Sequence, residues 1–339
     1  MGRDPRKRLH FATAFRLAYW LLVVLVFVNA IWLRLRLPLT PIADPDTWGY
    51  LSPAMSALLG HGWAHHLRNY LYPGFLFLLL WTFRSFAAVT VAQHLAGLSA
   101  GALFLVVWRR LRDFIRAPQL PYSLHQLIGL FGVTTYLYAR EPMTYELEIR
   151  PEGIVPLLVL LNIFFAIEFS YRCWIRRDQH LPVKWGLALV ASAIVLSLTK
   201  PSFTIAVFGS ILLIVASFSR KFPGREMAAL FLGSLGLTLL LLVPEQLAAR
   251  GDMDARTFLP TQLFVIHAAE IRDQMRADLA SHRSLPYPET LVRETAQLLD
   301  REMVNSARNR PFPSLGFDPD FLMYERQSFD YKMRERFQQ

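Results

Sequence analysis

Cysteine is nearly absent. The 339 residues include one, Cys173, which excludes an intrachain disulfide and any zinc site built on cysteines, and leaves the redox compartment open. Charge is scarce as well: 18% of residues are charged against 53% hydrophobic, outside the range of ordinary soluble domains. No glycine-rich dinucleotide loop and no Walker-type phosphate loop occurs, so a soluble nucleotide donor or ATP drive has no support. Internal repeats and low-complexity tracts are missing too. Gly97-Leu98-Ser99-Ala100-Gly101 matches the Gly-x-Ser-x-Gly nucleophile pattern, but that pattern needs a strand-turn-helix setting. Here it lies inside an apolar run, where Gly97 and Gly101 form a small-xxx-small packing face.

What the chain has is long apolar blocks. A helix needs about 20 apolar residues to cross a hydrocarbon core of about 30 Å, and seven segments come near that, at about 14–33, 86–108, 124–140, 152–171, 185–199, 202–218 and 227–244. The first follows Arg3, Arg6, Lys7 and Arg8 but is too long for a signal h-region, and reads as an uncleaved helix. An eighth run, Tyr70 to Phe83, is too short to span and reads as an interfacial or re-entrant helix. The net charge of +10 sits in clusters at the ends of these blocks, which speaks for membrane orientation and against nucleic acid. With seven spans and the N-terminus inside, Arg109, Arg110, Arg112 and Arg116, then Arg172, Arg176, Arg177 and Lys184, then Arg220, Lys221 and Arg225 all fall on the inner side. Counting the short run as a span would invert every later loop. The expectation is an all-α, multi-spanning protein of the plasma (inner) membrane, N-terminus cytoplasmic and C-terminus outside. A membrane module would cover 1–246, with an outer loop at 34–85 carrying a surface helix near Leu51–Leu59. A polar tail, 247–339, would hold helices at Thr257–Leu279 and Pro288–Ala307. From Arg250 onward that tail has 13 Lys and Arg against 14 Asp and Glu, a net of −1, so the basic excess belongs to the membrane half.

Three outer regions carry the candidate chemistry. Asp44-Pro45-Asp46 follows the first span and offers a general base or divalent-metal ligands at the lipid–water boundary; Asp44 or Thr47 could equally cap the next helix. Glu141 to Glu152 packs four acids and one arginine into the next outer connection, with Glu152 placed to meet a helix N-terminus. Glu146, Glu148 and Glu152 join the two aspartates as an acidic vestibule. Such a vestibule repels phosphate unless cations offset it, and Arg68, Arg150 and Lys200 are the candidates; Lys200 closes a long apolar helix, where snorkelling to the headgroups is the plain alternative. Asp44, Asp46 and His65 form a weak candidate set for Mg or Mn, with His61 and His66 nearby. Gln93 and His94 lie within a span and are expected to hydrogen-bond between helices.

The order of these features resembles the GT-C superfamily of integral-membrane glycosyltransferases, which contains the protein mannosyltransferases and the lipid A aminoarabinose transferase. The resemblance covers roughly residues 10–245. It rests on one span, then Asp44-Pro45-Asp46 and Tyr50, then the Leu-Tyr-Pro-Gly-Phe-Leu run. A helix with Gln93-His94 ending Trp108-Arg109-Arg110-Leu111 follows, then Arg150-Pro151-Glu152, then Thr199-Lys200-Pro201. It implies a polyprenyl-phosphate-linked sugar as donor and an envelope acceptor bound from outside. An outer-loop aspartate would take the acceptor proton; Asp46 stands closest to the family's acid before the tyrosine, Tyr50, and Asp44 nearly as close. Lys200, Arg150 or Arg68 would steady the departing lipid phosphate. Family members are usually longer. The alternatives are therefore an inactive truncated relative, or a non-catalytic glycolipid transporter or assembly partner.

Overall fold

A computed structural model of the chain describes residues 5–44, 46–63, 68–114, 120–220, 222–249, 264, 266–281, 287–307 and 316. Among these residues all regular structure is helical, apart from one isolated backbone bridge. The chain divides into two units, Met1–Gly251 and Asp252–Gln339.

The first unit begins with α1, Pro5–Leu35. Its apolar stretch shows how the bundle meets its surroundings. Tyr19, Val23 and Ala30 are buried, whereas Leu17, Leu21, Leu25 and Val28 are exposed. A helix whose outward face is as apolar as its inward one is not designed for water. Four helical segments are long and apolar enough to cross a membrane: Thr13–Leu35, Ala87–Phe114, Val155–Ile175 and Gly224–Glu245. They mark the chain as a membrane protein. The other three expected spans are also helices, α5 (Tyr122–Tyr138), α8 (Val183–Thr199) and α9 (Thr204–Ser217), but of only 17, 17 and 14 residues. At 1.5 Å per residue the longest reaches about 26 Å, short of an average core.

Between α1 and the second long helix lie α2 (Thr47–Leu58) and α3 (Leu71–Phe83). At 13 residues α3 extends only about 20 Å, and it ends at Arg84 in the left-handed conformation, φ 51°. It is shorter than an average hydrocarbon core, and it buries Tyr72, Leu76 and Leu80 against Ala54 of α2, Val89 and Ile149. The long α4 follows, Ala87–Leu111. It packs on α5 with α1 through Leu105, Leu130, Val133 and Leu137, and on α7, Val155–Ser170. The larger core joins α7, α8, α9 and α10 (Gly224–Ala249) through Phe169, Leu189, Ile194, Ile214 and Leu230.

The acidic connection after α5 is not the loop that its charge suggests. Ala139 alone is extended, and Arg140–Leu147 forms a further helix, α6. Pro142 is tolerated because it stands in the first turn, where its missing N–H has no helical partner to lose, and Glu141 suits that turn's dipole. Beyond α6 the chain pairs with the segment after α1. Ile42 N–H donates to Leu147 O (2.8 Å) and Ile149 N–H to Ile42 O (3.4 Å), a parallel bridge between Ile42 and Glu148.

The second unit contains α11 (Ala268–Ala280) and α12 (Glu289–Ala307). Of the expected tail helix Thr257–Leu279, residues 257–263 and 265 lie outside the described residues, and Ala268–Ala280 is helical. The two helices pack through Ala268, Leu299 and Met303, and Arg276 and Arg272 both pair with Asp300.

Candidate functional site

The Ile42–Glu148 bridge brings the two acidic segments together. Asp44 N–H donates to Thr47 Oγ1, and Thr47 Oγ1 donates back to Asp44 Oδ1, both at 2.8 Å. This local loop turns the chain into α2 and points Asp44 at Arg150, 3.0 Å away. Asp46 precedes α2 directly and is the more open of the pair, its side chain 37% exposed against 11% for Asp44. Arg68 Nη2 donates to Asp46 Oδ1 at 2.6 Å and the guanidinium lies 4.7 Å over the ring of Tyr50. Gly49 makes room for it, since a Cβ there would stand 3.1 Å from Arg68 Nε.

Arg150 is the hub. Its guanidinium forks Glu152 (3.1 Å to each oxygen), pairs with Asp44, and lies 3.5 Å from Glu148 and 3.9 Å from Asp46. Lys200, ending α8, reaches Glu152 Oε1 at 2.6 Å. Asp44, Asp46, Glu148, Glu152, Arg68, Arg150, Lys200 and Tyr50 are thus gathered in one place, from segments as far apart as residues 44 and 200. Burial alone would push the Glu152 carboxyl up, but hydrogen bonds from Lys200 and Arg150 outweigh it and hold it below its ordinary value. Burial likewise opposes the charge on Arg150, and its carboxylate partners, Glu152 first, more than compensate. The Tyr50 hydroxyl is pushed up to about 12, chiefly by burial, with Arg68 pulling the other way.

Glu146 is the exception. Expected to face the vestibule, it is 1% exposed and turned toward the helices instead. Arg34, at the end of α1, grips it with Nε and Nη2, each at 2.7 Å, and Arg34 Nη1 donates to Ala30 O and Leu137 O. His94 Nδ1 lies 2.7 Å from the same carboxylate; a carboxylate only accepts, so the imidazole is the donor. A counter-charge this close repays the cost of removing Glu146 from water, which is why it leaves the vestibule. Gly97 supplies the slot, because any Cβ there would collide with the Glu146 carboxylate. The glycine pattern in α4 thus admits a charged group rather than only a neighbouring helix.

Gln93 connects this buried network to the charged cluster. Its amide donates to Glu146 O (2.9 Å) and Glu148 O (2.8 Å), and it accepts from the Tyr72 hydroxyl at 2.7 Å. The two carbonyls flanking Leu147 are thereby fixed, and with them the course of the strand-like segment carrying Glu148 and Arg150. Gly153 permits the approach, since a Cβ there would meet the Gln93 amide carbon at 2.7 Å. Arg34 and Gly97 are the members of this support that the sequence did not single out for it. The available signal was an arginine within the last turn of an apolar helix; nothing local names its partner 112 residues away.

The expected metal set of Asp44, Asp46 and His65 falls partly outside the described residues. His65 and His66 lie outside the described residues, His61 is exposed, and among the described residues no group of three or more His, Cys, Asp or Glu is placed to hold a metal ion. Arg68 and Arg150 already stand between the carboxylates, and their charge opposes a divalent ion while suiting an anion that could exchange for a carboxylate. The chain matches no protein-family model, no curated protein and no solved structure.

Proposed function

We propose that the protein is a membrane glycosyltransferase that moves a sugar from a polyprenyl-phosphate donor to an acceptor at the outer face, with the Arg150 cluster as its site. The observation that carries this reading is the convergence of two aspartates of unequal exposure with three cations at the ends of apolar helices. Asp46, the more exposed, is the base that an acceptor hydroxyl can reach. The acceptor oxygen forms the new bond to the anomeric carbon and gives its proton to Asp46. The bond from that carbon to the lipid phosphate breaks, and its electron pair stays on the phosphate. Lys200, Arg150 and Arg68 exchange carboxylate partners for the phosphate and balance its charge. Asp44, held by Thr47 and Arg150, keeps the loop in place.

This reading uses seven spans with the N-terminus inside. It is supported by the way Arg110 joins Glu168, and Arg172 lies over Trp185, so that the basic ends of α4, α7 and α8 meet. A reporter at residue 116 labelled from outside would overturn that topology. The complete pairing of Arg150 and Lys200 favours a second reading, a non-catalytic membrane protein in which the cluster is a clasp. Transfer from a panel of radiolabelled polyprenyl-phosphate sugars, measured in membranes holding the full chain, separates the two. Asp46→Asn is expected to abolish transfer without loss of the protein from the membrane. Full activity in the Asp44→Asn/Asp46→Asn double variant refutes the transferase.

A further inference from the structure

At the other end of the bundle, α4 and α7 finish side by side. Arg110, in the last turn of α4, forks Glu168 with contacts of 2.6 and 3.1 Å and lies 4.0 Å over the ring of Tyr171, which Phe114 meets edge-on. Just inside this polar belt is an open-sided apolar groove of about 210 Å³ between Leu111 and Phe114 on one wall and Ile163, Ala166, Ile167 and Ser170 on the other. It falls below the roughly 300–1,000 Å³ in which small-molecule sites enclose a whole ligand. Its apolar wall and lateral opening suit part of a chain entering from the bilayer.

The charge around the groove does not balance. Arg109, Arg110, Arg112, Arg172, Arg176, Arg177, Lys184, Arg220 and Arg225 stand at this end against Asp113, Glu168, Asp178 and Glu226, nine cations to four acids, a net of +5. Asp113, Glu168 and Asp178 are taken by Arg110, Arg172 and Arg176, and Glu226 by His180 and the Leu181 N–H. Arg109, Arg112, Arg177 and Lys184 pair with no carboxylate among the described residues. Two of the cations adjoin the groove in sequence. Arg112 lies between Leu111 and Phe114, and its Nη1 is buried without a hydrogen-bond partner; Arg172 lies two residues past Ser170, and its buried Nε makes no hydrogen bond, with Glu168 no nearer than 3.8 Å. Aromatic rings carry both guanidiniums, Tyr122 under Arg112 and Trp185 under Arg172, as at a membrane–water boundary.

We propose that this end holds a selective site for an anionic glycerophospholipid, one acyl chain lying in the groove and the phosphate taken by Arg112 and Arg172. The groove calls for an amphiphile rather than a free anion. The uncompensated charge calls for a headgroup without the ammonium that a zwitterionic lipid would bring against it. The proposal does not depend on the transferase reading, since it uses none of its residues.

Native mass spectrometry of the full chain in detergent, titrated with dioleoylphosphatidylglycerol or dioleoylphosphatidylcholine, tests it. The anionic lipid is expected to be retained at least about ten-fold more tightly. Arg112→Gln or Arg172→Gln should each lower that affinity about five-fold, the weight of one basic side chain near a charged surface, and lower the phosphatidylcholine value by less, so that the preference narrows. Arg36→Gln, a charge removed beside Trp32 at the other end, should change neither. Filling the groove with Ala166→Phe should weaken both lipids. Should that variant fail to fold, a dihexanoyl form of the anionic lipid, binding the unaltered chain far more weakly, makes the same test. Equal retention of the two lipids, equal effects of Arg36→Gln and Arg112→Gln, short chains binding as well as long ones, or full competition by inorganic phosphate would each overturn the site.

Discussion

Replacing Gly97 with alanine should destabilise the protein, and the reason can be isolated. In the middle of an exposed helix this change gains about 1 kcal/mol of helix propensity. Here the new Cβ would lie 2.7 Å from the Glu146 carboxyl carbon and closer still to one of its oxygens, so the carboxylate must leave the fork of Arg34. Both side chains are 2% exposed, and breaking a buried pair on one side costs about 3–5 kcal/mol. Setting the propensity gain against this leaves a net loss of about 2–4 kcal/mol. At about 2–4 °C per kcal/mol for a unit of this size, Tm should fall by roughly 4–16 °C, read from tryptophan fluorescence of the purified protein in detergent. In an Arg34→Met/Glu146→Ala background the pair is gone and the slot is empty. The same Gly97→Ala change should then be neutral or stabilising by up to about 1 kcal/mol. An equal fall in Tm in both backgrounds would refute the account, because it would locate the cost in helix packing and not in the carboxylate.

Further outcomes follow from the network around Arg150. Because Glu152 is held below its ordinary value of 4.5, the unfolded state binds more protons in the window beneath it, and stability there rises with pH. The advantage of the native protein over Glu152→Gln should therefore be flat from pH 6 to 8 and shrink as pH falls below about 4.5; a difference that moves between pH 6 and 8 would assign it to another group. Tyr72→Phe leaves the Gln93 carbonyl buried without its donor and should cost about 1–3 kcal/mol, part of which Gln93→Leu should recover in a double-variant cycle. Lys200→Met should lower transfer about 10²–10³-fold, as does removal of one donor at a developing oxyanion. It should barely move Tm, because Arg150 still holds Glu152.

The parts of this structure that were legible in the sequence depend on local physics. Apolar run length placed α4 and α7 to within three residues and located α1 and α10, though α1 begins nine residues earlier and α10 ends five later than their apolar runs; the shortness of Tyr70–Phe83 separated α3 from the long helices. Asp44 and Thr47 marked the turn into α2 by bonding each other, but neither caps the helix: Asp46 stands at the N-cap and its side chain makes no cap bond. The acidic stretch was harder to read, because charge density says loop whereas Pro142 and Glu141 at the start of α6 are compatible with a helix. Glu146 and Glu148 illustrate the remaining limit. They are two residues apart and chemically alike, yet one is buried on Arg34 and the other lies beside Arg150. What separates them is a partner more than a hundred residues upstream and a glycine slot in another helix, which local pattern does not encode.

The Arg34–Glu146 pair also constrains how the protein can be made. Arg34 is complete 112 residues before its counter-charge, an interval of roughly 6–20 s at ordinary elongation rates. During that time a guanidinium in the last turn of the first apolar helix has no carboxylate to share its charge. It can keep its head at a water boundary by snorkelling until the carboxylate arrives. The contacts that fix the end of the helix made first, the Arg34–Glu146 pair and the Ile42–Glu148 bridge, can therefore form only after α6 has been made.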